Sequence, residues 1–217
     1  QALQDFCVKT GVSKSGAVIE IEFLDHCVRE DLRSKVSRVM AVTDPVKLIL
    51  TNYNETGESF ELPNNPEVPE MGTRQVPFCK ELYIEREDFM PIPPPKYHRL
   101  YPGNEVRLMG SYIIKCTGYN TDAEGKVTEV LAEVDFTTKN GGENAGRKVK
   151  GTIHWVPADV AVPVEYRLID HLLSTVHNTN LDEAVLNPNS MIITQGYAEP
   201  VVGDAKPGDT FQFVRQG

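Results

Sequence analysis

No stretch of these 217 residues is apolar for long enough to cross a bilayer, so a membrane span is not expected. Tryptophan occurs once, at Trp155, and the four cysteines, Cys7, Cys27, Cys79 and Cys116, are widely scattered. With no Cys-x-x-Cys and no closely spaced Cys/His pair, a zinc site lacks its usual spacing, and no metal is expected. Buried thiols in a reducing cytoplasm fit that pattern better. Missing too are the phosphate-cradling Gly-x-x-x-x-Gly-Lys-Ser/Thr and Gly-x-Gly-x-x-Gly loops and the Gly-x-Ser-x-Gly elbow. No catalytic residue is therefore expected in this chain. Asp170-His171 invites a dyad, but neighbours in sequence point apart on a strand, and the pair reads as surface.

Positive charge is in deficit: 22 Lys and Arg stand against 31 Asp and Glu, a net charge of −9. That balance repels phosphate, so any nucleic-acid site must be a local patch. Candidate patches are Arg147, Lys148 and Lys150, and Lys96, Arg99 and Arg107, while acids gather at 55–70 and 81–88. Hydrophobic content of 40% and charged content of 24% are ordinary for a globular chain. The opening at Gln1 without an initiator Met, and the end just after a strand-like run, read as cut ends of a larger protein.

Residues 2–9 and 22–36 carry apolar side chains at helical spacing, with Gly11 stopping the first helix. From Arg38 onward strands dominate. An apolar run at 39–50 is broken by Asp44-Pro45, and further strands are expected at 59–62, 78–85, 105–119, 126–136, 162–173, 190–197 and 210–215. The run 162–173 also suits a short helix, and an apolar helical turn is read at 181–186. A bend is expected at Gly110. The strands at 105–119, 126–136 and 146–156 form an antiparallel meander in this reading. Ahead of them, four prolines at 91–95 make a stiff extended spacer. In Gly146–Val156 (Gly-Arg-Lys-Val-Lys-Gly-Thr-Ile-His-Trp-Val), alternation places Lys148, Lys150, Thr152 and His154 on a wet face and Val149, Gly151, Ile153 and Trp155 on the core face.

That string, together with Pro-Glu-Met-Gly-Thr-Arg-Gln-Val-Pro-Phe at 69–78 and Gln-Gly-Tyr-Ala-Glu-Pro at 195–200, resembles the C-terminal anticodon-binding region of the glutaminyl-tRNA synthetase family. The resemblance runs in order over nearly the whole chain. It implies a mainly β fold, two antiparallel β-barrels preceded by a small helical subdomain at 1–37. The proximal barrel would use about 38–70 and 156–217 and the distal barrel about 71–155. It also implies a cytoplasmic monomer whose partners are the tRNA for glutamine and, in cis, an N-terminal catalytic domain outside this chain. ATP and Mg²⁺ would act there, and no cofactor is expected in this part. Class I activation signatures are likewise absent from the sequence.

Loop bases are recognised by splaying them out, stacking them and hydrogen-bonding their edges. Lys96, Tyr97, His98 and Arg99 supply a cation, two rings and a guanidinium directly after the proline spacer. The resemblance aligns this segment, Arg38, Arg107 and Gln195 with anticodon contacts, and leaves Lys148 and Lys150 as phosphate contacts. Without it, Tyr97 reads equally well as core. Two positions depart from the family: Met109 stands where a second Arg is common, and His98 where a Lys is usual. Competing readings are an archaeal or eukaryotic type glutamyl-tRNA synthetase region, a ribosomal-RNA-binding β-barrel, which the acidic balance opposes, and a secreted carbohydrate-binding β-sandwich, which the unpaired cysteines oppose.

Overall fold

The computed structural model describes residues 1–12, 14, 18–174 and 185–216. Two helices open the chain, α1 (Ala2–Thr10) and α2 (Ile21–Arg33), packed through Phe6 and Phe23 with ring centroids 5.8 Å apart. α1 ends at Gly11, whose φ of 71° lies in the left-handed region that glycine enters without steric cost. α2 stops short of Val36, which is buried outside the helix.

Short strands follow: β1 (Ser37–Val39), β2 (Ala41–Val42), β3 (Pro45–Leu50), β4 (Glu58–Pro63), β5 (Thr73–Phe78) and β6 (Glu81–Glu85). Beyond the proline spacer come β7 (Glu105–Leu108), β8 (Ile113–Thr121), β9 (Val127–Asp135), β10 (Thr152–Ile153) and β11 (Val156–Pro157), then β12 (Val162–Ile169), β13 (Met191–Ala198) and β14 (Phe211–Phe213). The fold is mainly β. Seven strands in the order β10-β7-β8-β9-β3-β6-β11 form one sheet that curls into a half-barrel. β12-β13-β2 make a second sheet, β4-β5 a hairpin, and β1-β14 a pair. Residues 162–173 thus resolve as a strand at their start, and the helical turn read at 181–186 falls largely outside the described residues.

Two expectations need correction. Residues 105–119 are a full hairpin, not one bent strand: Gly110, at φ 66°, lets the chain reverse between β7 and β8. A Cβ there would sit 2.0 Å from Leu62 Cδ2, so glycine is required for space as well as for conformation. The meander also fails at its third member. β10 pairs with β7 in parallel, and β3–β9 and β1–β14 are parallel as well. Parallel neighbours need long connections, and β3, inserted between β6 and β9, meets its parallel partner β9 only after the chain has passed through β4 to β8.

The wet face assigned to His154 is wrong too. β10 is two residues long, alternation lapses after it, and Ile153, His154, Trp155 and Val156 are all fully buried. The Nε2–H of His154 donates to the Ala41 carbonyl at 2.9 Å. Trp155 Nε1 donates to the Met109 carbonyl at 3.0 Å, and its ring meets Phe78 edge-on at 5.0 Å.

Around residues 40–44 the main chain is served by buried acids. Glu199 accepts from the Met40 N–H at 2.7 Å and pairs with Arg74 Nε and Nη2 at 2.6 and 2.7 Å. Glu85 accepts from the N–H groups of Thr43 and Asp44 at 2.7 and 3.0 Å. Burial alone would raise the Glu85 pKa. The neighbouring His154 and the two N–H donors outweigh it and hold the carboxyl at about 2, below its ordinary 4.5.

Trp155→Ala should lower stability by about 3–5 kcal/mol, read as a fall in Tm, because it leaves a cavity in the half-barrel and strips the Met109 carbonyl of its donor. Glu85 sets an acid limit. A carboxyl depressed in the folded state contributes stability that is fully present above the unfolded pKa, near 4.5, and lost as pH falls through about 2. Denaturant titrations between pH 7 and pH 2 should show about 3 kcal/mol of such loss, absent from Glu85→Gln, which is less stable at neutral pH.

Candidate nucleic-acid interface

The proline spacer ends at Pro95, and the next residue, Lys96, is forced into the left-handed region at φ 67°. Tyr97 N then bonds back to the Pro94 carbonyl at 3.2 Å, closing a tight turn that throws Lys96 and His98 outward. Gly151 holds this loop against the 147–151 stretch. A Cβ there would lie 1.9 Å from the His98 carbonyl oxygen, an approach only glycine permits. The result is a cleft of about 600 Å³ with Lys96, Tyr97 and His98 on one wall and Lys148, Val149 and Lys150 on the other. Residues 147–150 are not a strand; they run irregularly along the rim. Lys96, Lys148 and Lys150 are exposed and form no ion pair among the described residues, leaving three free charges on one groove.

A second hollow of about 550 Å³ continues past Lys96 and Lys150 to Arg99, Thr152 and Arg215. Here the acids at 81–88, read from the sequence as a separate acidic region, enter the basic site. Arg99 Nη1 lies 2.9 Å from Glu87 Oε1, and Arg215 Nη2 lies 2.6 Å from the same oxygen. Asp88, fully buried in the 3-10 turn Arg86–Asp88, receives Arg215 Nη1 on both oxygens at 2.6 and 2.7 Å and has Arg99 Nε at 3.3 Å. Tyr97 donates its hydroxyl to the Glu87 carbonyl at 2.9 Å, and burial pushes its phenol up to about 12, so it stays a neutral donor and ring at physiological pH.

Arg215 also lines a third hollow of about 430 Å³, with Arg38, Arg74, Met109, Gly110 and Asn140 among its walls. Arg38 and Gln212 face each other in register across the parallel β1–β14 pair. Arg38 Nη2 is held by Glu67 Oε1 at 2.6 Å, but Arg38 Nε and Gln212 Oε1 are buried without a hydrogen-bond partner. One spare donor and one spare acceptor therefore lie buried in the wall of a single pocket.

The expected residues divide accordingly. Lys96, Tyr97, His98, Arg99, Lys148 and Lys150 line adjoining hollows, and Arg38 joins them through Arg215, which is common to two of the three. Arg107 lines none of them. Its guanidinium donates to the carbonyls of Ser111, Thr138, Ala145 and Arg147 at 2.9–3.4 Å and clamps the loop that leads into the lysine rim. Gln195 lies exposed on β13, opposite Glu165 and outside these hollows. Arg147, counted with the basic patch, is neutralised by Asp135 and Glu105.

Two family models match, both described as the anticodon-binding domain of class I tRNA synthetases (E and Q), one over residues 36–135 and one over 152–217. The chain belongs to that family. It is 46% identical over its whole length to proteins named glutamine-tRNA ligase from Clostridium perfringens and Escherichia coli O157:H7, of which it spans 40% and 39% respectively. A protein of the same name from Shigella boydii serotype 18 is also 46% identical over the whole chain.

Seen as a class I anticodon-binding chain, its three sequence motifs turn out to be frame. Arg74 from the first binds Glu199 from the third, and His154 from the second binds Ala41 between them. Gly196 of the third motif carries β13 past β2, where a Cβ would lie 2.0 Å from the Val42 carbonyl oxygen. Sequence reasoning missed Gln212 and Arg215. The available signal was the alternation Phe211-Gln212-Phe213 beside a lone Arg, which sets Gln212 apart from its two aromatic neighbours.

Gly151→Ala should push the 96–99 loop off the lysine rim and cost about 1–3 kcal/mol of stability through overpacking. Gly146→Ala, where a Cβ meets nothing within 4 Å, is the control and should be near neutral in the same denaturant series.

Proposed function

We propose that this chain is the anticodon-reading part of a glutamine-tRNA ligase, with the tRNA for glutamine as its partner. Ligation itself would use ATP and Mg²⁺ in a catalytic domain outside the chain. A cytoplasmic monomer is part of the same reading. So is the finer architecture of two barrels, the proximal from about 38–70 and 156–217 and the distal from about 71–155, behind a helical subdomain at 1–37. The names of the relatives and the shared motifs support glutamine over glutamate.

One observation carries the reading: Arg38 and Gln212, each with a buried polar atom left unpartnered, line a pocket that joins, through Arg215, the hollows carrying the unpaired Lys96, Lys148 and Lys150. A buried polar atom left unsatisfied costs about 1–3 kcal/mol, which a ligand with a matching acceptor and donor would return. Base edges carry that pair of groups side by side, and an unstacked loop base can present them. The lysines would meet the phosphates that connect such bases, and Tyr97 and His98 offer rings for stacking. Arg99 would read an edge from the second hollow. Arg107 would contribute by holding its loop, and Gln195 would act from the edge of the β12–β13 sheet.

Titration of the chain with the tRNA for glutamine and with an anticodon-swapped version tests this. The cognate tRNA should bind about 10-fold to 100-fold more tightly. Arg38→Ala should narrow that ratio by about tenfold, whereas Lys150→Ala should weaken both tRNAs alike. Equal binding of the two tRNAs by the unaltered chain would overturn the proposal.

A further inference from the structure

We propose that Asp88 is a positioning residue through which two base-reading subsites are coupled, an inference that rests on the anticodon-reading function above. Its carboxylate is fully buried and carries two guanidinium groups at once. Arg99 arrives from the loop after the proline spacer, and Arg215 from the residues after β14, a separation of 127 residues from Asp88. Glu87 repeats the pattern one residue earlier, sharing Oε1 between the same two arginines. Two cations and two anions thus form a closed cluster with one member sealed from water.

Such a cluster has little freedom to rearrange. A buried carboxylate stripped of a partner is far costlier than one that keeps it, so each arginine is fixed by the demand of Asp88 rather than by its own packing. Arg215, which bonds that carboxylate, has a left-handed backbone at φ 70°. It and Lys96 are the two positive-φ residues other than glycine among the described residues, and they line the same hollow. Burial raises the Asp88 carboxyl above its ordinary range and Arg215 pulls the other way, so the guanidinium contacts are what oppose protonation of this sealed group.

Arg215 lines both the Arg38–Gln212 pocket and the Arg99 hollow. An arginine has five N–H donors, and those not spent on Glu87 and Asp88 remain for a ligand. A base that draws on Arg215 in one hollow changes the charge that Asp88 offers Arg99 in the next. Reading of the two positions is then cooperative, and the isosteric neutral variant should impair both together.

The test uses the chain, the tRNA for glutamine and tRNAs with one anticodon base changed at a time. Asp88→Asn should reduce the discrimination ratio at two positions by about tenfold each, and Arg99→Ala should reduce it about tenfold at its own position and by a smaller factor at the other. Asp88→Glu, which restores the charge, should recover part of the loss, an effect that general loosening of the fold would not produce. Should Asp88→Asn not fold, a double-mutant cycle of Arg99→Lys and Arg215→Lys replaces it. Discrimination ratios that depart from multiplicativity by about fivefold or more support coupling. Multiplicative effects, or an Asp88→Asn chain that weakens every tRNA equally and keeps both ratios, overturn it. A parent chain that discriminates at no position would instead defeat the anticodon reading itself.

Discussion

The carboxylate of Glu199, 1% exposed, is the tie on which the arrangement of the rest depends. It joins Arg74 of the β4–β5 hairpin to the Met40 N–H ahead of β2, while the Glu199 N–H returns a bond to the Met40 carbonyl at 3.1 Å. Such a pair adds little net stability against a well-packed apolar substitute, yet losing one partner costs about 3–5 kcal/mol. Its effect is to specify. Arg74 is a wall of the Arg38 pocket, so the tie that orients the hairpin also shapes the site. The need for it lies in the backbone. β2 is two residues long and Pro45 has no N–H, so the donors of Met40, Thr43 and Asp44 cannot all be met by a ladder, and Glu199 and Glu85 meet them instead.

The same economy explains how a chain of net charge −9 presents a basic groove. Glu85, Asp88 and Glu199 are buried within the frame, where their charge is absorbed by N–H donors and guanidinium groups. Arg33, Arg74, Arg86 and Arg147 are spent on acids as well. Lys96, Lys148 and Lys150, placed on irregular chain, keep theirs. Electrostatic character is therefore decided by which charges are left over, and a count over the chain does not give that remainder.

Periodicity was a good guide where elements were long. α2, β6, β9 and β13 lie close to where their apolar spacing put them, and Trp155 is buried as expected, although it lies between two short strands where alternation has lapsed. Periodicity failed where strands were two or three residues long, because no period can establish itself there. That is why His154 was placed in water and why β14 gave no hint that Gln212 pairs with Arg38, 174 positions earlier. Arg107 was illegible for another reason: its acceptors are four main-chain carbonyls, and carbonyls have no signature in sequence. The run Lys96–Arg99 stood out because its residue types, after a proline spacer, fit nothing a core requires.

Frame and reader are thus built by different physics. Frame residues such as Gly151, Gly196, Arg74, Glu199 and Trp155 are fixed by close approach and by buried bonds, so each has one partner set and substitution breaks the fold. Residues of the reader hold donors in reserve. Lys96 sits at φ 67° with its ammonium unpaired, and Arg38 keeps a buried Nε with nothing to bond. Those features cost stability in the isolated chain and gain nothing until a partner supplies the acceptor. A fold selected for stability alone would have removed them, and their gathering around one set of adjoining hollows is what separates a binding surface from an incidental groove.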